Sequence, residues 1–502
     1  MFSAPNTLMV QGTTSDAGKS ILVTALCRIL ARHKLSVAPF KSQNMALNSA
    51  VTPCGGEIGR AQAVQAQACF LSPAIEMNPI LLKPNSDLGS QVIVNGKSIG
   101  NMKATEYHHY KPSLLNTVVA AHDSLRHRYQ AVIVEGAGSP AEINLREHDI
   151  ANMGFAEKVD CPVIIVADID RGGVFAHLYG TYALLSASER ARVIGFVINR
   201  FRGDVDLLTP GLIWLEEKTS VPTLAVIPYI HNLHIEAEDS ISNNQTQNSG
   251  ERRLKIVVLN YPRTSNHTDF DVLRMYPHID CEFVREASDF SGADVIILPG
   301  SKNVRDDLAA MRSSGWPEVI NSHLRYGGNV IGICGGFQML GDAIHDPQGI
   351  ESAAGSSQGL GLLQFETTLA NKKTLRNVKG NSVTTGAEIR GYEIHAGEST
   401  GTALTRPLLS LSLQNDDGSF SESKFSDGAI SADGKIIGTY VHGAFDEKTM
   451  LAEILTWAGL KNLADFDYTG YREDEINRLA DVVEKEISIT TLRELLSLGE
   501  VS

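Results

Sequence analysis

The residues best suited to chemistry lie between Asn329 and Gly341, where an apolar strand leads into Gly-x-Cys-x-Gly and then into an amphipathic helix. Glycines on both sides of Cys334 permit a sharp strand-to-helix turn, which exposes the central side chain at the edge of a sheet. A thiol at the start of a helix ionises more readily, and the thiolate is the nucleophile. The run therefore predicts a nucleophile elbow with sulfur in place of serine oxygen. The alternative is a buried structural cysteine beside a glycine turn.

A second candidate site follows the first predicted strand, Leu8 to Gln11, where a small-residue loop ends in Gly-Lys-Ser and a helix begins. In such a loop the backbone amides and the helix N-terminus bind phosphates, the lysine pairs with β- and γ-phosphate oxygens, and the serine hydroxyl can ligate Mg²⁺. Five residues, rather than the usual four, separate the two glycines of the loop. The candidate ATP-binding residues of the loop are Gly12, Thr13, Thr14, Asp16, Gly18, Lys19 and Ser20.

Two charged side chains outside the loop also fit a nucleotide site. Glu135 directly follows the predicted strand Ala131 to Val134, so its carboxylate lies at the carboxyl edge of the sheet, where a Mg²⁺ ligand belongs. Ser20 and Glu135 are therefore the candidate metal ligands. Lys41 ends the second predicted strand and could stabilise a phosphoryl group in transfer. Each of these charges is equally compatible with a solvated surface position.

Two alternating α/β patterns must position these residues. Apolar runs without polar alternation are typical of parallel strands that helices cover on both faces. The runs of the first pattern are 8–11, 37–40, 131–134, 163–167, 193–198 and 223–227, and those of the second are 255–259, 295–298, 329–333 and 436–441. We therefore predict two doubly wound α/β domains, the first with a phosphate loop of the P-loop NTPase kind.

The domain division follows from a change in composition. The polar run Ser240 to Gly250 has no apolar periodicity and predicts a linker. We predict a first domain at 1–238, a linker at 239–253, a second domain at 254–450 and a helical extension at 451–502.

Composition bounds the class of protein. The chain has 502 residues, 43% of them hydrophobic, and a net charge of -14, which argues against general binding to nucleic acid or to a membrane surface. Its six cysteines form no CxxC pair, which is typical of a reducing compartment. No signal-like N-terminus and no apolar run of about 18 residues is apparent. We expect a soluble cytoplasmic protein.

Several long runs carry a resemblance to a known family. They are QGTTSDAGKS (11–20), PFKSQNMALN (39–48), GEIGRAQ (56–62), VEGAGSPAEINL (134–145), ADIDRGGVF (167–175) and NRFRGD (199–204). On these residues the chain resembles the cobyric acid synthase family, the glutamine-hydrolysing amidotransferases of cobalamin biosynthesis, over nearly its whole length. The resemblance implies that the first half is an ATP-dependent amidoligase domain, and this half is also similar, more distantly, to dethiobiotin synthetase. The second half resembles the triad-type glutamine amidotransferases.

The resemblance implies a reaction and its partners. The reaction is the ATP-dependent amidation of the b, d, e and g carboxylates of adenosylcobyrinic acid a,c-diamide, through acyl phosphates, with ammonia released from glutamine. ATP and Mg²⁺ are the implied cofactors, and the corrinoid acid and glutamine are the implied partners. Whether the protein forms a homo-oligomer is left open. The related synthase that forms the a,c-diamide carries Gly-Pro-Asp-Tyr where this chain has Ser42 to Met45, which favours the cobyric acid enzyme. The candidate corrinoid-binding residues are Gln43, Asn44, Arg171 and Arg202, the arginines because guanidinium groups suit peripheral carboxylates.

The resemblance also implies the residues of glutamine hydrolysis. Free ammonia is mostly protonated at neutral pH, so the Cys334 thiolate would release it inside the protein by attacking the glutamine amide. His442 matches the family's general acid/base, and His395 is the rival, interpreted as structural or glutamine-positioning. Backbone amides at Gly335 and Gly300 would form the oxyanion hole.

One position departs from the pattern of triad amidotransferases, which place a glutamate two residues after the histidine. Ala444 stands there in this chain, so the sequence predicts a Cys334–His442 dyad. The alternative to an amidating ligase is a nucleotide-switch or partitioning ATPase that carries an inactive amidotransferase fold as a binding module. The phosphate-loop half alone permits that alternative, whereas Cys334 and His442 argue against it.

Overall fold

The computed structural model describes residues 6–85, 89–236, 253–415 and 417–498. Its helices are α1 (Lys19–Arg32), α2 (Arg60–Ala68), α3 (Ala104–Arg128), α4 (Met153–Val159), α5 (Val174–Leu184), α6 (Ala187–Arg190), α7 (Thr209–Thr219), α8 (Asp271–Met275), α9 (Val304–Ser313), α10 (Trp316–Arg325), α11 (Gly335–Leu340), α12 (Lys448–Trp457), α13 (Tyr468–Glu486) and α14 (Ile489–Leu495). Among the described helices none is long and apolar enough to cross a membrane.

The strands fall into two groups along the chain. Those of the first half are β1 (Thr7–Gly12), β2 (Val37–Phe40), β3 (Gln43–Met45), β4 (Ser49–Val51), β5 (Glu57–Gly59), β6 (Ile80–Pro84), β7 (Gly89–Val94), β8 (Lys97–Lys103), β9 (Ala131–Glu135), β10 (Val163–Asp168), β11 (Val193–Phe201) and β12 (Thr223–Pro228). Those of the second half are β13 (Leu254–Leu259), β14 (Thr264–Ser265), β15 (Ile279–Val284), β16 (Val295–Leu298), β17 (Gly300–Ser301), β18 (Asn329–Ile333), β19 (Ala343–Asp346), β20 (Gly355–Gln358), β21 (Glu366–Ser382), β22 (Glu388–Thr400), β23 (Leu409–Gln414), β24 (Phe420–Asp427), β25 (Ala429–Ile430), β26 (Ile436–Thr439) and β27 (Val441–His442).

The first domain is built on a parallel six-stranded sheet in the order β12-β11-β10-β1-β9-β2. Successive residues of β1 pack on opposite faces: Leu8 and Val10 lie in the core with α1, whereas Met9 lies in the core on the other side. Both faces are therefore buried, as the apolar runs predicted. The carboxyl ends of β1, β2 and β9 meet at one edge, which brings the phosphate loop, Lys41 and Glu135 together.

A smaller sheet, β3-β6-β7-β8, and the hairpin β4-β5 are inserted between β2 and α3. They project toward the second half of the chain. These strands were not predicted, because they are short and β8 is almost entirely exposed.

The second domain contains the sheet β15-β13-β16-β18-β26-β25, in which the strands are parallel except for β25. All four strands predicted in this half are present. A further sheet of antiparallel character, built on the long hairpin of β21 and β22, carries β27 at its edge. The fold is therefore two α/β domains, as predicted from the strand pattern.

The last helices lie against the first domain. Ile476, Leu479 and Val483 of α13 belong to the apolar core that α1 forms with the parallel sheet. Arg28 of α1 is fully buried and donates to Glu473 across the same contact at 2.8 Å. The predicted linker lies outside the described residues except for Arg253, and the predicted domain boundaries stay predictions.

Candidate active sites

Cys334 stands at a strained turn between β18 and α11. Its backbone has φ 51° and ψ −107°, a conformation that non-glycine residues rarely adopt. The flanking glycines are required by close packing: a Cβ on Gly336 would lie 1.9 Å from the Leu298 carbonyl oxygen, and one on Gly332 would lie 2.8 Å from the Phe337 amide nitrogen. The geometry is that of a nucleophile elbow.

His442 lies at the end of β27 and has a carboxylate partner. Its Nδ1 donates to Asp269 Oδ2 at 2.7 Å, and the Gly443 amide donates to Asp269 Oδ1 at 3.1 Å. The predicted dyad is therefore wrong. The position two residues after the histidine is indeed a buried alanine, Ala444, but the carboxylate reaches the imidazole from a short turn, His267–Phe270, that follows β14.

The electrostatics of His442 favour its charged form. Burial alone would lower the pKa of this imidazole, but the charges of Asp269 and Cys334, with a hydrogen bond to each, raise it to about 10. At neutral pH these interactions favour an imidazolium beside the Cys334 sulfur. This arrangement can deliver a proton to a leaving amine and return it later.

The residues predicted for the oxyanion hole lie beside the elbow. A Cβ on Gly300 would lie 3.2 Å from His442 Cε1, and one on Gly335 would lie 2.8 Å from the Ser301 amide nitrogen. The pairing of β17 with β14 fixes this segment against the turn that carries Asp269. The backbone around Gly300 and Gly335 thus borders the space between sulfur and imidazole, where a tetrahedral oxyanion would form.

The rival histidine, His395, faces the same cavity as Cys334 but differs from His442 in charge. Burial lowers its pKa to about 4, its Nδ1 bonds the Gly397 carbonyl at 2.9 Å, and its ring stacks on Tyr440 at 3.9 Å. Neither His395 Nε2 nor Gln338 Oε1 has a hydrogen-bond partner among the residues that the structure describes. These two buried atoms are suited to orienting a polar ligand such as an amide.

The phosphate loop closes over the N-terminus of α1. Gly18, at φ 98°, precedes the helix, and Lys19 is 4% exposed. The Lys19 ammonium donates to the carbonyl oxygens of Thr14, Ser15 and Gly138 at 2.8, 3.0 and 3.0 Å. The Lys19 side chain therefore lies within the loop, and these hydrogen bonds hold its ammonium group where phosphate oxygens would bind.

Ser20, Lys41 and Glu135 form one cluster at the edge of the first sheet. The Ser20 hydroxyl and the Lys41 ammonium both donate to Glu135 Oε1, at 2.7 and 2.9 Å. Burial opposes ionisation of Glu135, but the Lys41 charge and the hydrogen bonds of Lys41, Ser20 and Gln65 hold its pKa below the ordinary value. A hydroxyl and an ionised carboxylate are hard oxygen donors, so the predicted ligands fit Mg²⁺.

The remaining residues predicted for nucleotide or corrinoid binding include exposed charged side chains and buried polar ones. Asp16 and Arg171 pair at the exposed edge at 2.8 Å, and Arg202 lies over the Tyr229 ring at 3.7 Å. The Thr13 hydroxyl is buried with no hydrogen-bond partner in the described part of the chain.

Gln43 and Asn44 follow Lys41 but point into the protein. Gln43 Oε1 accepts from the Tyr107 hydroxyl at 2.6 Å, and Asn44 Nδ2 donates to Gln62 at 3.0 Å. Asn44 is only 2% exposed. The structure therefore does not bring Asn44 to the open edge where Arg171 lies.

The fold and the two sites define a class: a glutamine amidotransferase joined to a nucleotide-binding domain. Comparison with family models shows the family. The CobQ/CobB/MinD/ParA nucleotide binding domain matches residues 8–269, just over half of the chain, and the CobB/CobQ-like glutamine amidotransferase domain matches residues 255–450. The chain belongs to the CobQ/CobB/MinD/ParA family, and it is an ATP-dependent glutamine amidotransferase of the CobQ kind.

Similar solved structures each cover part of the chain. PurLQS from Thermotoga maritima is 18% identical over 41% of this chain and 99% of its own, with a TM-score of 0.31. A glutamine amidotransferase is 15% identical over 41% of this chain and 99% of its own, with a TM-score of 0.28. Chloroplast FtsY from Physcomitrella patens is 14% identical over 44% of this chain and 58% of its own, with a TM-score of 0.23.

Proposed function

We propose that this protein is a cobyric acid synthase, which amidates the b, d, e and g carboxylates of adenosylcobyrinic acid a,c-diamide in the cytoplasm. The observation that carries the proposal is that one chain holds a cysteine elbow supported by His442 and Asp269 and a phosphate loop supported by Lys41 and Glu135. A carboxylate becomes amidated only when it is activated and when free ammonia is supplied, and the two sites are suited to these two tasks.

The glutamine half uses the thiolate–imidazolium pair. Cys334 sulfur attacks the glutamine side-chain carbonyl carbon, and the oxyanion lies against the amides near Gly300 and Gly335. His442 gives its proton to the amide nitrogen as the carbon–nitrogen bond breaks, so ammonia leaves and a glutamyl thioester remains. Water then attacks the thioester, His442 accepts its proton, and glutamate is released.

The ATP half activates the acceptor. A corrinoid carboxylate oxygen attacks the γ-phosphorus, the bond to the β-phosphate oxygen breaks, and an acyl phosphate forms. Lys19 and Lys41 stabilise the charge on the transferring phosphoryl group. Mg²⁺, held by Ser20 and Glu135, would neutralise charge on the β- and γ-phosphates. Ammonia then displaces phosphate from the acyl carbon.

The choice of corrinoid substrate is supported by sequence resemblance. The segment after β2 reads Ser42 to Met45 and lacks the signature of the synthase that makes the a,c-diamide. Arg171 at the exposed edge is the side chain of this region best placed to meet a peripheral carboxylate, because its side chain is 64% exposed.

ATP turnover by the purified protein tests the proposal. We expect turnover to require both adenosylcobyrinic acid a,c-diamide and glutamine, because phosphoryl transfer needs the acceptor and product release needs ammonia. Turnover that ignores the corrinoid would instead support the nucleotide-switch alternative. The matched control is cobyrinic acid with unmodified a and c carboxylates, which should support little turnover if the amidated a,c-diamide is the true acceptor.

A further inference from the structure

Asn48, in the first domain, bonds the turn that carries the carboxylate partner of His442. Asn48 Oδ1 accepts from the His267 backbone amide at 3.2 Å, and Asn48 Nδ2 donates to His267 Nε2 at 2.7 Å. Both residues are buried, at 1% and 9% exposure. Burial and Arg274 lower the pKa of His267 to about 4, so the ring is neutral and its Nε2 can accept this hydrogen bond. His267 lies two residues before Asp269 in the same short turn.

The next residue, Ser49, bonds both sides of the same site. Its backbone amide donates to Asn266 Oδ1 at 3.0 Å, and its carbonyl oxygen accepts from the Tyr392 hydroxyl at 3.2 Å. Tyr392 in turn stacks on the His442 ring, with 5.4 Å between ring centroids. Two consecutive residues of the first domain therefore hold the turn behind Asp269 and the aromatic ring that packs against His442.

The geometry points to Asn48 as a positioning residue for glutamine hydrolysis: by clamping His267 from the first domain, it holds Asp269 at the distance at which this carboxylate orients His442. The second domain alone supplies Cys334, His442 and Asp269. The pairing of β14 with β17 holds one end of the turn within the second domain, but the side-chain hydrogen bonds to Asn266 and His267 come from the first domain. Glutamine hydrolysis therefore depends on the docking of the two domains.

The connection to the nucleotide site is short. Lys41, whose ammonium pairs with Glu135, and Asn48 belong to one segment of chain that leaves the end of β2. Asn44, between them, is buried and bonded to Gln62. The segment from Lys41 to Asn48 is therefore held by hydrogen bonds between the phosphate site and the 267–270 turn. Through this segment, the docking of the two domains affects the position of Asp269.

Asn48→Ala tests the inference by glutamine hydrolysis alone, measured as glutamate release without corrinoid. We expect kcat to fall about 10- to 100-fold, as small misplacements of catalytic groups do, with the KM for glutamine nearly unchanged. Asn48→Asp keeps an oxygen for the His267 amide and should retain an intermediate kcat. Circular dichroism and a thermal unfolding curve establish whether each variant is folded. If Asn48→Ala does not fold, the kcat of Asn48→Asp tests the inference instead.

Asn377→Ala is the matched control. Asn377 Nδ2 donates to the Thr52 carbonyl oxygen at 3.1 Å, so this variant also removes a hydrogen bond between the domains, but one that does not involve the 267–270 turn. Its kcat should equal that of the wild type. A wild-type kcat in Asn48→Ala, or an equal loss in both variants, would overturn the inference. The inference rests on the proposed function. A wild-type protein that releases no glutamate, either alone or with ATP and the corrinoid, would refute that function itself, whereas an active wild type with the outcomes above refutes only the inference.

Discussion

Asp269 orients His442 and stabilises the charged form of its imidazole. The carboxylate accepts hydrogen bonds from the imidazole and from the Gly443 amide, so both of its oxygens are held. A carboxylate in this position fixes the tautomer and orientation of the histidine and stabilises the imidazolium. The third member of the triad is therefore present, although it comes from a different element than in the usual pattern.

Asp269→Asn should lower the kcat of glutamine hydrolysis by about 10²- to 10⁴-fold, because the amide can hold the wrong tautomer of the imidazole. Burial lowers the pKa of His442, and the Asp269 charge is the largest influence that raises it to about 10. In the variant this pKa falls, so the alkaline limb of the pH–rate profile shifts to lower pH. Asp465→Asn, which removes an exposed carboxylate paired with Lys448, should leave both the rate and the profile unchanged. An unshifted profile in Asp269→Asn would contradict this role.

Cys334 and His442 could be predicted from the sequence because each has a local signal, a glycine-flanked turn in one case and a strand end within a family run in the other. Asp269 has no such signal. Its contact with His442 spans 173 residues of sequence, and only the fold brings the two together. Its position soon after the first strand of the second sheet was the one available hint, since functional groups collect at the carboxyl ends of parallel strands.

At the scale of elements, the turn between β18 and α11 carries Cys334, the candidate nucleophile, and leaves no room for a side chain at the glycines that flank it. Gly336, the second residue of α11, approaches the Leu298 carbonyl so closely that no residue with a Cβ fits there. Gly332 has the same restriction against the backbone of Phe337. The strained backbone of Cys334 therefore persists because the surrounding strands determine it.

Gly336→Ala should displace the elbow, because its Cβ would overlap the Leu298 carbonyl group. We expect the free energy of unfolding to fall by about 1–3 kcal/mol, the usual cost of overpacking, and glutamine hydrolysis to be lost. Gly180→Ala, in α5, is the control: its Cβ would meet nothing within 4 Å, and alanine should stabilise the helix by about 0.5–1 kcal/mol. Thermal unfolding and a glutaminase assay check both. Full glutaminase activity in Gly336→Ala would contradict the packing account.

The elements predicted best are the buried parallel strands, whose continuous apolar runs have few alternative explanations. The strands that join the domains were missed. β8 is exposed along nearly its whole length, and β22 mixes buried and exposed residues without strict alternation, so neither carries the periodicity from which strands are predicted. These strands are stabilised by their tertiary contacts rather than by local pattern.

At the scale of the whole molecule, a buried cluster of charges connects the domains. Glu57 of the first domain is 1% exposed and pairs with Lys83 at 2.8 Å and with Lys373 of the second domain at 2.6 Å. Burial opposes its ionisation, but the two lysines hold its pKa well below the ordinary value. The cluster borders the cavity of Cys334, which Lys83 and Lys373 help to line. Removal of the shared carboxylate would leave two ammonium groups facing each other.

Glu57→Gln should therefore destabilise the protein by about 3–5 kcal/mol at neutral pH, the usual cost of removing one partner of a buried ion pair. Burial, offset in part by Glu57, lowers the pKa of Lys83 to about 8, below its ordinary value. Without Glu57 this pKa falls further. The folded variant then binds fewer protons than the folded wild type at pH values below about 8. The difference between the two proteins in the free energy of unfolding should therefore shrink as the pH rises toward that value. Thermal unfolding at several pH values measures the deficit. Glu286→Gln, at an exposed pair, should show no such change, and a deficit that grows with pH would contradict the assignment.

The central claim is that ammonia released at Cys334 is consumed at the ATP site of the same chain. Glutamine labelled with ¹⁵N in the side-chain amide, incubated with ATP and adenosylcobyrinic acid a,c-diamide, tests it by mass spectrometry of the corrinoid product. We predict that the wild type incorporates the label into the product amides, and that Cys334→Ser incorporates none from glutamine but does so from ¹⁵N-ammonium at high concentration. Failure of the wild type to label the corrinoid, or labelling from glutamine by a folded Cys334→Ser protein, would contradict the account.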